Sequence, residues 1–299
     1  AMRTVYLNGA FLPESEAKVS AYDLGVMQAA AVFEMTRSFN GVHFRLAEHL
    51  DRLERSCHAL SLQVPSREEV TEAIGQLTIL NDHGPGEEHR LMIMVSPGPA
   101  PMYREIAGDQ PTLLITDFPL RLTTAGMGCH FTKGVPIDRS RIAQAINLPC
   151  EAKHRSRLHF YLAHHELARK GRWAILCGPL NYVAEGPGFN VCLVKDGRVT
   201  GTINCALHGI SLKTVGELCL ETRIPFQYGT FTMSDLRDAD EVWLTGTPFC
   251  MLPAYATRER TKPWPLFSRV LTAWSELVGV DIAGQIQAWE TADQCHSVA

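Results

Sequence analysis

Two hydrophobic periods alternate along the first third of the chain, one typical of helices and one typical of strands. Apolar residues at helical spacing form one stripe (Leu46, Leu50, Leu53, Cys57 and Leu60) and predict a helix over residues 45–62. A second helix is expected over 67–80. Strands are predicted at 4–7, 90–95 and 112–118, with a β-hairpin over 32–44 that turns at Asn40-Gly41, two residues that tolerate positive φ.

The second part of the chain continues the mixed pattern. Strands are predicted at 129–133, 173–177, 189–194, 198–200, 225–228 and 241–244, the fourth following a turn at Asp196-Gly197. Helices are predicted over 156–170, ended by Gly171, over 211–223, in a short piece after a capping Ser234, and over 265–289. The pattern therefore predicts an α/β (α+β) fold.

Two segments lack a regular period and divide the chain. Residues 96–111 are rich in Pro and Gly and cannot continue a central strand, because proline donates no ladder hydrogen bond, so a mobile loop is expected. Residues 119–128 have no clear period and form the predicted linker. At 299 residues two domains are expected, a smaller N-terminal one over 1–118 and a larger C-terminal one over 129–299.

Composition narrows the function classes. The chain is 45% hydrophobic and 20% charged with a net charge of −4, which argues against a broad cationic surface for nucleic acid or anionic lipid. The nine cysteines are scattered and never spaced as C-x-x-C, so reduced thiols of a cytoplasmic protein are expected rather than disulfides or zinc ligands. No stretch reaches the apolar length of a membrane span, and no metal site is predicted.

Two charged residues carry the strongest chemical signal. Lys153 opens the run Lys-His-Arg-Ser-Arg-Leu at the head of a predicted helix, and Glu185 follows in Val-Ala-Glu-Gly-Pro-Gly-Phe-Asn. An amine that can form an imine and a carboxylate that can hold a pyridinium proton are the groups that a pyridoxal phosphate (PLP) enzyme needs most. The pair makes PLP the expected cofactor.

Around this pair the chain resembles the class IV, fold-type IV PLP enzymes, which include branched-chain and D-amino acid aminotransferases and aminodeoxychorismate lyases. The matching positions run from Tyr6 to about Pro253. The resemblance implies that Lys153, followed by Glu166 and Gly171 at the family's spacing, carries PLP as an internal aldimine. Lys133 and Lys170 are weaker candidates for that role.

The resemblance also implies cofactor-binding residues. Glu185 would face the ring nitrogen, and Asn190 ends the same motif. For the phosphate, the segment His49 to Leu53 resembles the family's His-x-x-Arg-Leu helix and implicates Arg52, with Arg55 as a rival. The segments Gly209-Ile210-Ser211 and Thr245-Gly246-Thr247 resemble family turns that bind phosphate, implicating Ile210, Ser211 and Thr247.

Substrate recognition departs from the family pattern. Where D-amino acid aminotransferases have Thr-Arg-Gly, this chain has Ser96-Pro97-Gly98, so the arginine that binds the substrate carboxylate is missing. Arg37, Tyr103 or Arg104 are candidate replacements. Phe33 is a further candidate substrate contact, and Arg157 could lower the pKa of the Lys153 amine.

Three functions remain open from the sequence. The leading one is an aminotransferase that moves an amino group between an amino acid or amine and a 2-keto acid. Lys153-His154-x-x-Arg157-Leu158 also resembles the lyase helix, so a pyruvate-releasing lyase is the alternative, and a non-catalytic PLP-binding relative is the second alternative. The resemblance implies a cytoplasmic homodimer that acts on small molecules, without nucleic acid or membrane partners.

Overall fold

The computed structural model describes residues 3–257 and 263–296, with side chains as far as residue 290. Two compact units are present. The first unit contains residues 1–123 and 151–157, and the second contains 124–150 and 158–299. The predicted domain boundaries at 118 and 129 stay a prediction; the short segment 151–157, which includes Lys153, contacts the first unit.

The first unit is built on a six-stranded antiparallel sheet. Its elements in chain order are β1 (Thr4–Leu7), β2 (Ala10–Pro13), α1 (Leu24–Met27), β3 (Val32–Phe39), β4 (Val42–His43), α2 (Leu46–Ala59), α3 (Arg67–Leu80), β5 (His89–Ser96), α4 (Arg104–Ala107) and β6 (Thr112–Pro119). The strands are ordered β2-β1-β6-β5-β3-β4. The predicted hairpin is confirmed, with Asn40 at φ 51° and Gly41 at φ 76°.

Strand alternation gives this sheet two different faces. Apolar side chains of one face pack with α2 and α3 in a buried core that includes Leu53, Leu77, Ile93 and Ile115. Burying one such side chain contributes about 1.5–3 kcal/mol. The other face carries the facing pairs Phe33 with Met94, Met35 with Met92, and Arg37 with Arg90. This second face carries the candidate site residues of β3.

The second unit contains an eight-stranded sheet ordered β12-β11-β10-β13-β14-β7-β8-β9. After α5 (Arg121–Thr124), its elements are α6 (His130–Lys133), β7 (Val135–Arg139), α7 (Leu158–Ala168), β8 (Trp173–Cys177), β9 (Val183–Glu185), β10 (Asn190–Lys195), β11 (Arg198–Thr202), α8 (Ile210–Glu221), β12 (Phe226–Gly229), α9 (Met233–Arg237), β13 (Glu241–Gly246), β14 (Cys250–Tyr255), α10 (Pro265–Val278) and α11 (Ile282–His296).

Several local predictions are wrong for identifiable reasons. Residues 129–133 form one helical turn, ended by Gly134 at φ 76°, and the strand begins afterwards. Thr232, not Ser234, caps α9 through a capping box with Asp235. The predicted helix 265–289 is two helices, because Gly279 adopts the left-handed conformation after α10. The expected loop 96–111 contains a 3-10 turn and α4.

Candidate functional site

The backbone around Lys153 is fixed against the first unit. The Phe33 N–H donates to the Lys153 carbonyl at 2.9 Å, and the Arg155 N–H donates to the Ala31 carbonyl at 2.7 Å. The Lys153 N–H donates to Ser56 Oγ at 3.0 Å. Segment 151–157 is therefore docked by hydrogen bonds at the start of β3, so the Lys153 backbone has a defined position.

The Lys153 side chain belongs to a cluster of cations around one aromatic ring. Its Nζ lies 4.7 Å from the centre of the Phe33 ring, and the guanidinium carbons of Arg155 and Arg157 lie at 4.5 and 5.6 Å. Phe33, Lys153 and Arg157 were predicted site residues, and the fold brings them together. The rival lysines Lys133 and Lys170 are both exposed.

Arg52, the predicted phosphate ligand, lies in a buried charge network. Glu34 is fully buried and accepts from Arg52 Nε at 2.6 Å and Nη2 at 2.9 Å, and its Oε2 lies 2.7 Å from His49 Nδ1. Burial would raise the pKa of Glu34, but Arg52 and His49 hold it well below its ordinary value. Glu34 thus orients Arg52 through two of its five N–H groups. The rival Arg55 is exposed.

The two other candidate arginines lie in very different surroundings. Arg37 is fully buried on β3, donates from Nε to the Ser38 carbonyl at 3.1 Å, and stacks on the Phe39 ring at 3.9 Å. Arg104 is exposed on α4, and within the described chain it has no ring contact with Phe33. Neighbouring Tyr103 stacks on Tyr22 with ring centres 4.4 Å apart. The fold therefore does not bring Arg104 to the Lys153 cluster within the first unit.

Two arginines that the sequence did not single out lie on the same sheet face. Arg155 Nη2 contacts Met92 Sδ at 2.7 Å, and Arg90 Nη2 contacts Met35 Sδ at 2.9 Å. Burial and the charge of Arg155 lower the pKa of Arg90 to about 10, so it remains a cation at neutral pH. Neither guanidinium has an ion pair with a carboxylate among the described side chains, and the buried Arg90 Nε has no hydrogen-bond partner there. This face is suited to an anionic ligand.

The second unit places Glu185 at the end of β9, 8% exposed. Gln144 Nε2 donates to Glu185 Oε1 at 2.9 Å and also to the Cys205 carbonyl at 2.9 Å. The Leu207 N–H donates to Glu185 Oε2 at 3.3 Å. Gln144 was missed because nothing in its local sequence indicates this tertiary contact. Its amide and the loop backbone hold the carboxylate in one orientation.

Asn190 fixes the loop that leads into α8. Its Nδ2 donates to the Leu207 carbonyl at 2.8 Å, and its Oδ1 would lie only 2.0 Å from a Cβ added at Gly209. Gly209 is the N-cap of α8, and no side chain caps this helix. Ile210 and Ser211 are its first two residues, so their N–H groups have no acceptor within the helix. N–H groups of this kind can bind an anion, and the anion-binding role of Ile210 and Ser211 stays a prediction.

Hydroxyl groups at the end of β13 complete the polar set of the second unit. Thr245 faces Asn190 in the strand register, and its buried Oγ1 has no hydrogen-bond partner among the described residues. Thr247 follows Gly246 in the turn after the strand and is half-buried. Glu185 and Asn190 both bind the Leu207 backbone, so Glu185, Asn190 and its strand partner Thr245 lie in the same region of the second unit.

These groups fit PLP by their chemistry. An uncapped helix N-terminus and an unpartnered buried hydroxyl suit a phosphate, and a buried, oriented carboxylate suits a ring N–H.

Glu166 of the lysine motif has a different task. Hydrogen bonds from Ser140 Oγ and from the side chain and backbone N–H of Arg141 hold its pKa at about 2, so it tethers α7 to the segment after β7. None of the described helices is both long and apolar enough to cross a membrane.

Comparison with known proteins gives consistent matches. Residues 31–256 match the family model described as amino-transferase class IV. A putative branched-chain-amino-acid aminotransferase of Methanocaldococcus jannaschii is 29% identical over 255 residues, covering 84% of this chain and 86% of the relative. A D-alanine aminotransferase of Listeria monocytogenes is 27% identical over 261 residues, covering 83% and 86%.

A solved structure has the same fold. The branched-chain aminotransferase of the thermophilic archaeon Thermoproteus uzoniensis, crystallised with norvaline, superimposes with a TM-score of 0.82. The match covers 97% of this chain and 98% of that one at 24% sequence identity. The expected mixed α/β fold of fold type IV is confirmed by this similarity.

Proposed function

Because the chain belongs to the class IV aminotransferase family, whose reaction is PLP-dependent transamination between an amino acid and a keto acid, we propose that Lys153 attaches the cofactor. The observation that carries this proposal is the docking of segment 151–157. Two backbone hydrogen bonds to β3 and the residue before it, and one from the Lys153 N–H to Ser56 Oγ, fix the segment, while Lys133 and Lys170 lie exposed. A lysine that must form a bond at a defined carbon needs such a fixed backbone.

The groups of the second unit are proposed to hold the cofactor. Glu185 holds the proton of the ring nitrogen, and the N–H groups of Ile210 and Ser211, with the Thr247 hydroxyl, bind the phosphate. Asn190 positions the loop before α8. Arg52, which Glu34 orients within the first unit, stays the phosphate contact that the sequence predicts. When bound, PLP supplies an electron sink for the electrons left at the substrate Cα.

Lys153 is also proposed to move the substrate proton. Its amine lies on the Phe33 ring beside the guanidinium groups of Arg155 and Arg157. The ring restricts the amine to one side of the cluster, which favours proton transfer at a single face of the substrate.

The substrate is proposed to present an anionic group to Arg155 and Arg90. These two cations lie on the same sheet face as Phe33, and their contacts among the described residues are with methionine sulfur and aromatic rings. A carboxylate would relieve the cost of burying two charges that repel each other. Arg155 and Arg90 would thus replace the arginine that is absent at Pro97, and they are better candidates for this role than the exposed Arg104.

Covalent trapping tests the assignment of the lysine. The PLP-loaded protein is reduced with borohydride and digested, and the peptides are mapped by mass spectrometry. We expect the phosphopyridoxyl group on Lys153. The label should be lost in the Lys153→Ala variant and kept in Lys133→Ala, the matched control. Label on Lys133 or Lys170 in the wild-type protein would refute the proposal.

A half-reaction experiment distinguishes a transaminase from a lyase that would use the same site residues. An amino donor added without a keto acid should convert the bound cofactor stoichiometrically to pyridoxamine phosphate. A lyase would release pyruvate repeatedly without that conversion, and a non-catalytic relative would do neither.

A homodimer is proposed on the resemblance and on one surface of α7. Leu158, Tyr161 and Leu162 are 68%, 61% and 44% exposed, and their spacing places them along one stripe of this helix. A second copy of the chain would cover them. Leu162→Glu should lower the mass measured by light scattering, whereas Ile79→Glu, at a more exposed apolar residue of α3, should not. An unchanged mass for Leu162→Glu would remove α7 from the interface.

A cytoplasmic location is proposed from the cysteines. The eight cysteines whose side chains are described are all free thiols, and five of them are buried. Reduced thiols in such number are typical of a reducing compartment. Fractionation of the native host cells, with recovery of activity outside the cytoplasm, would contradict this location.

A further inference from the structure

The helix-covered face of the first sheet carries a second cluster of chemically active side chains. His83 lies in the loop after α3, His89 begins β5, and Asp117 lies on β6. One nitrogen of each imidazole and one carboxylate oxygen all lie within 4.8 Å of one another. The side chains are 6%, 10% and 0% exposed. The set is separate from Lys153 and from every residue proposed to hold PLP.

The pairing inside this cluster is incomplete. His89 Nδ1 lies 2.8 Å from Asp117 Oδ2, a normal hydrogen bond. His83 Nε2 lies 3.4 Å from Asp117 Oδ1, and neither atom has a hydrogen-bond partner among the described residues. These two buried atoms form an ion pair only when His83 is protonated, and they make no hydrogen bond, which is costly because each atom has lost its water.

We propose that His83, His89 and Asp117 bind a divalent transition-metal ion, with zinc as the best match. Two ligand atoms at about 2.0–2.1 Å from a tetrahedral zinc ion lie about 3.4 Å apart, which is the separation that the unpaired atoms already have. Two imidazoles and one carboxylate form a ligand set that zinc accepts, with water as the fourth ligand. A bound ion would satisfy both unpaired atoms and join the loop after α3 to β5 and β6.

The other polar side chains near this cluster have partners of their own, and Asp82 accepts from the Gly84 N–H at 2.9 Å. His43, whose ring centre lies 5.9 Å from that of His89, uses Nδ1 on Thr36 Oγ1 at 3.1 Å and Nε2 on Thr78 Oγ1 at 3.0 Å. Glu88 accepts from the Asn40 N–H at 2.7 Å and from Ser38 Oγ. Because these side chains are engaged in other hydrogen bonds, the proposed metal ligands are His83, His89 and Asp117.

Titration of the PLP-loaded protein with zinc sulfate tests the site, after dialysis against a chelator. We expect one ion per chain by calorimetry and a higher unfolding temperature, because an ion that binds only the folded state stabilises it. His83→Gln should weaken binding at least about 100-fold, since loss of a direct ligand exceeds the 10–100-fold effect of an outer partner. His89→Asn should act in the same direction. The exposed His58, changed to Gln, is the matched control.

Cobalt(II) spectra exclude the cysteines as ligands. A nitrogen and oxygen site gives visible d–d bands without the thiolate charge-transfer band that a cysteine ligand adds. No zinc uptake by the wild-type protein, equal uptake by His83→Gln and His89→Asn, or a thiolate band would each overturn the proposal. Because His83 lies in a loop, His83→Gln is expected to fold, and its circular dichroism without zinc should match that of the wild-type protein.

Discussion

Two buried carboxylates, one in each unit, receive hydrogen bonds from different kinds of donor. Glu34 in the first unit contacts two cationic or potentially cationic groups, Arg52 and His49. Glu185 in the second unit receives hydrogen bonds from neutral donors, the Gln144 amide and the Leu207 N–H. The Arg52 guanidinium compensates the charge of Glu34, and burial lowers the pKa of His49, so His49 serves as a neutral hydrogen-bond partner and the network serves the structure. The Gln144 amide and the Leu207 N–H orient the Glu185 carboxylate, which suits a group proposed to face a protonated ring.

The largest expected effect is on the charged network. Glu34→Gln should lower the free energy of unfolding by about 3–5 kcal/mol, because it leaves Arg52 buried without its counter-charge. Urea unfolding measures it. The control is Glu14→Gln, which breaks the half-exposed pair with Arg3 and should change stability by less than about 1 kcal/mol. Equal effects for the two variants would contradict a structural role for Glu34.

The stability difference between the wild-type protein and Glu34→Gln should depend on pH with a defined sign. The pKa of Glu34 is lower in the folded than in the unfolded chain, where it is about 4.3. Its stabilising effect is therefore fully present above about pH 5 and is lost as the pH falls through the folded-state value. The stability gap between wild type and Glu34→Gln should stay constant from neutral pH to about pH 5 and shrink below it.

The next effect tests the neutral donors of the second unit. Gln144→Ala removes a hydrogen bond to a carboxylate, a type of bond that contributes about 1.5–3 kcal/mol. We expect PLP to bind about 10–100-fold more weakly, as measured by fluorescence titration, with a smaller change in unfolding than for Glu34→Gln. Gln227→Ala, at an exposed glutamine of β12, is the control. Unchanged PLP affinity in Gln144→Ala would mean that Glu185 needs no orienting amide.

A glycine pair compares backbone fit in the two units. A Cβ at Gly209 would meet Asn190 Oδ1 at 2.0 Å, so Gly209→Ala should destabilise the protein by about 1–3 kcal/mol and weaken PLP binding. A Cβ at Gly75, inside α3, meets nothing within 4 Å, and Gly75→Ala should stabilise the protein by about 0.5–1 kcal/mol. Thermal unfolding checks both signs. A stable, tightly binding Gly209→Ala protein would show that the start of α8 need not fit closely against Asn190.

The same contrast explains which features were predictable. The helices α2 and α3 follow from apolar spacing, and the hairpin follows from Asn40-Gly41, because these signals are local. Strand β14 is buried along most of its length and was missed, since a short apolar run lacks the alternation that marks a strand. Gln144 and Arg90 were missed for another reason. Their roles depend on partners distant in sequence, and no local pattern encodes these contacts.

The smallest expected effect decides between two arginines that are candidates for substrate binding, Arg155 beside the Phe33 ring and Arg104 on α4. Arg155→Met should raise the KM for the amino donor about tenfold, because the substrate loses one contact with a half-buried charge. Arg104→Met should leave the KM unchanged. If Arg155 binds the α-carboxylate, KM rises equally for alanine and glutamate. If it binds a side-chain carboxylate, KM rises for glutamate alone. A larger effect of Arg104→Met would instead favour the loop arginine that the sequence suggests, and would remove the Arg90 and Arg155 face from substrate binding.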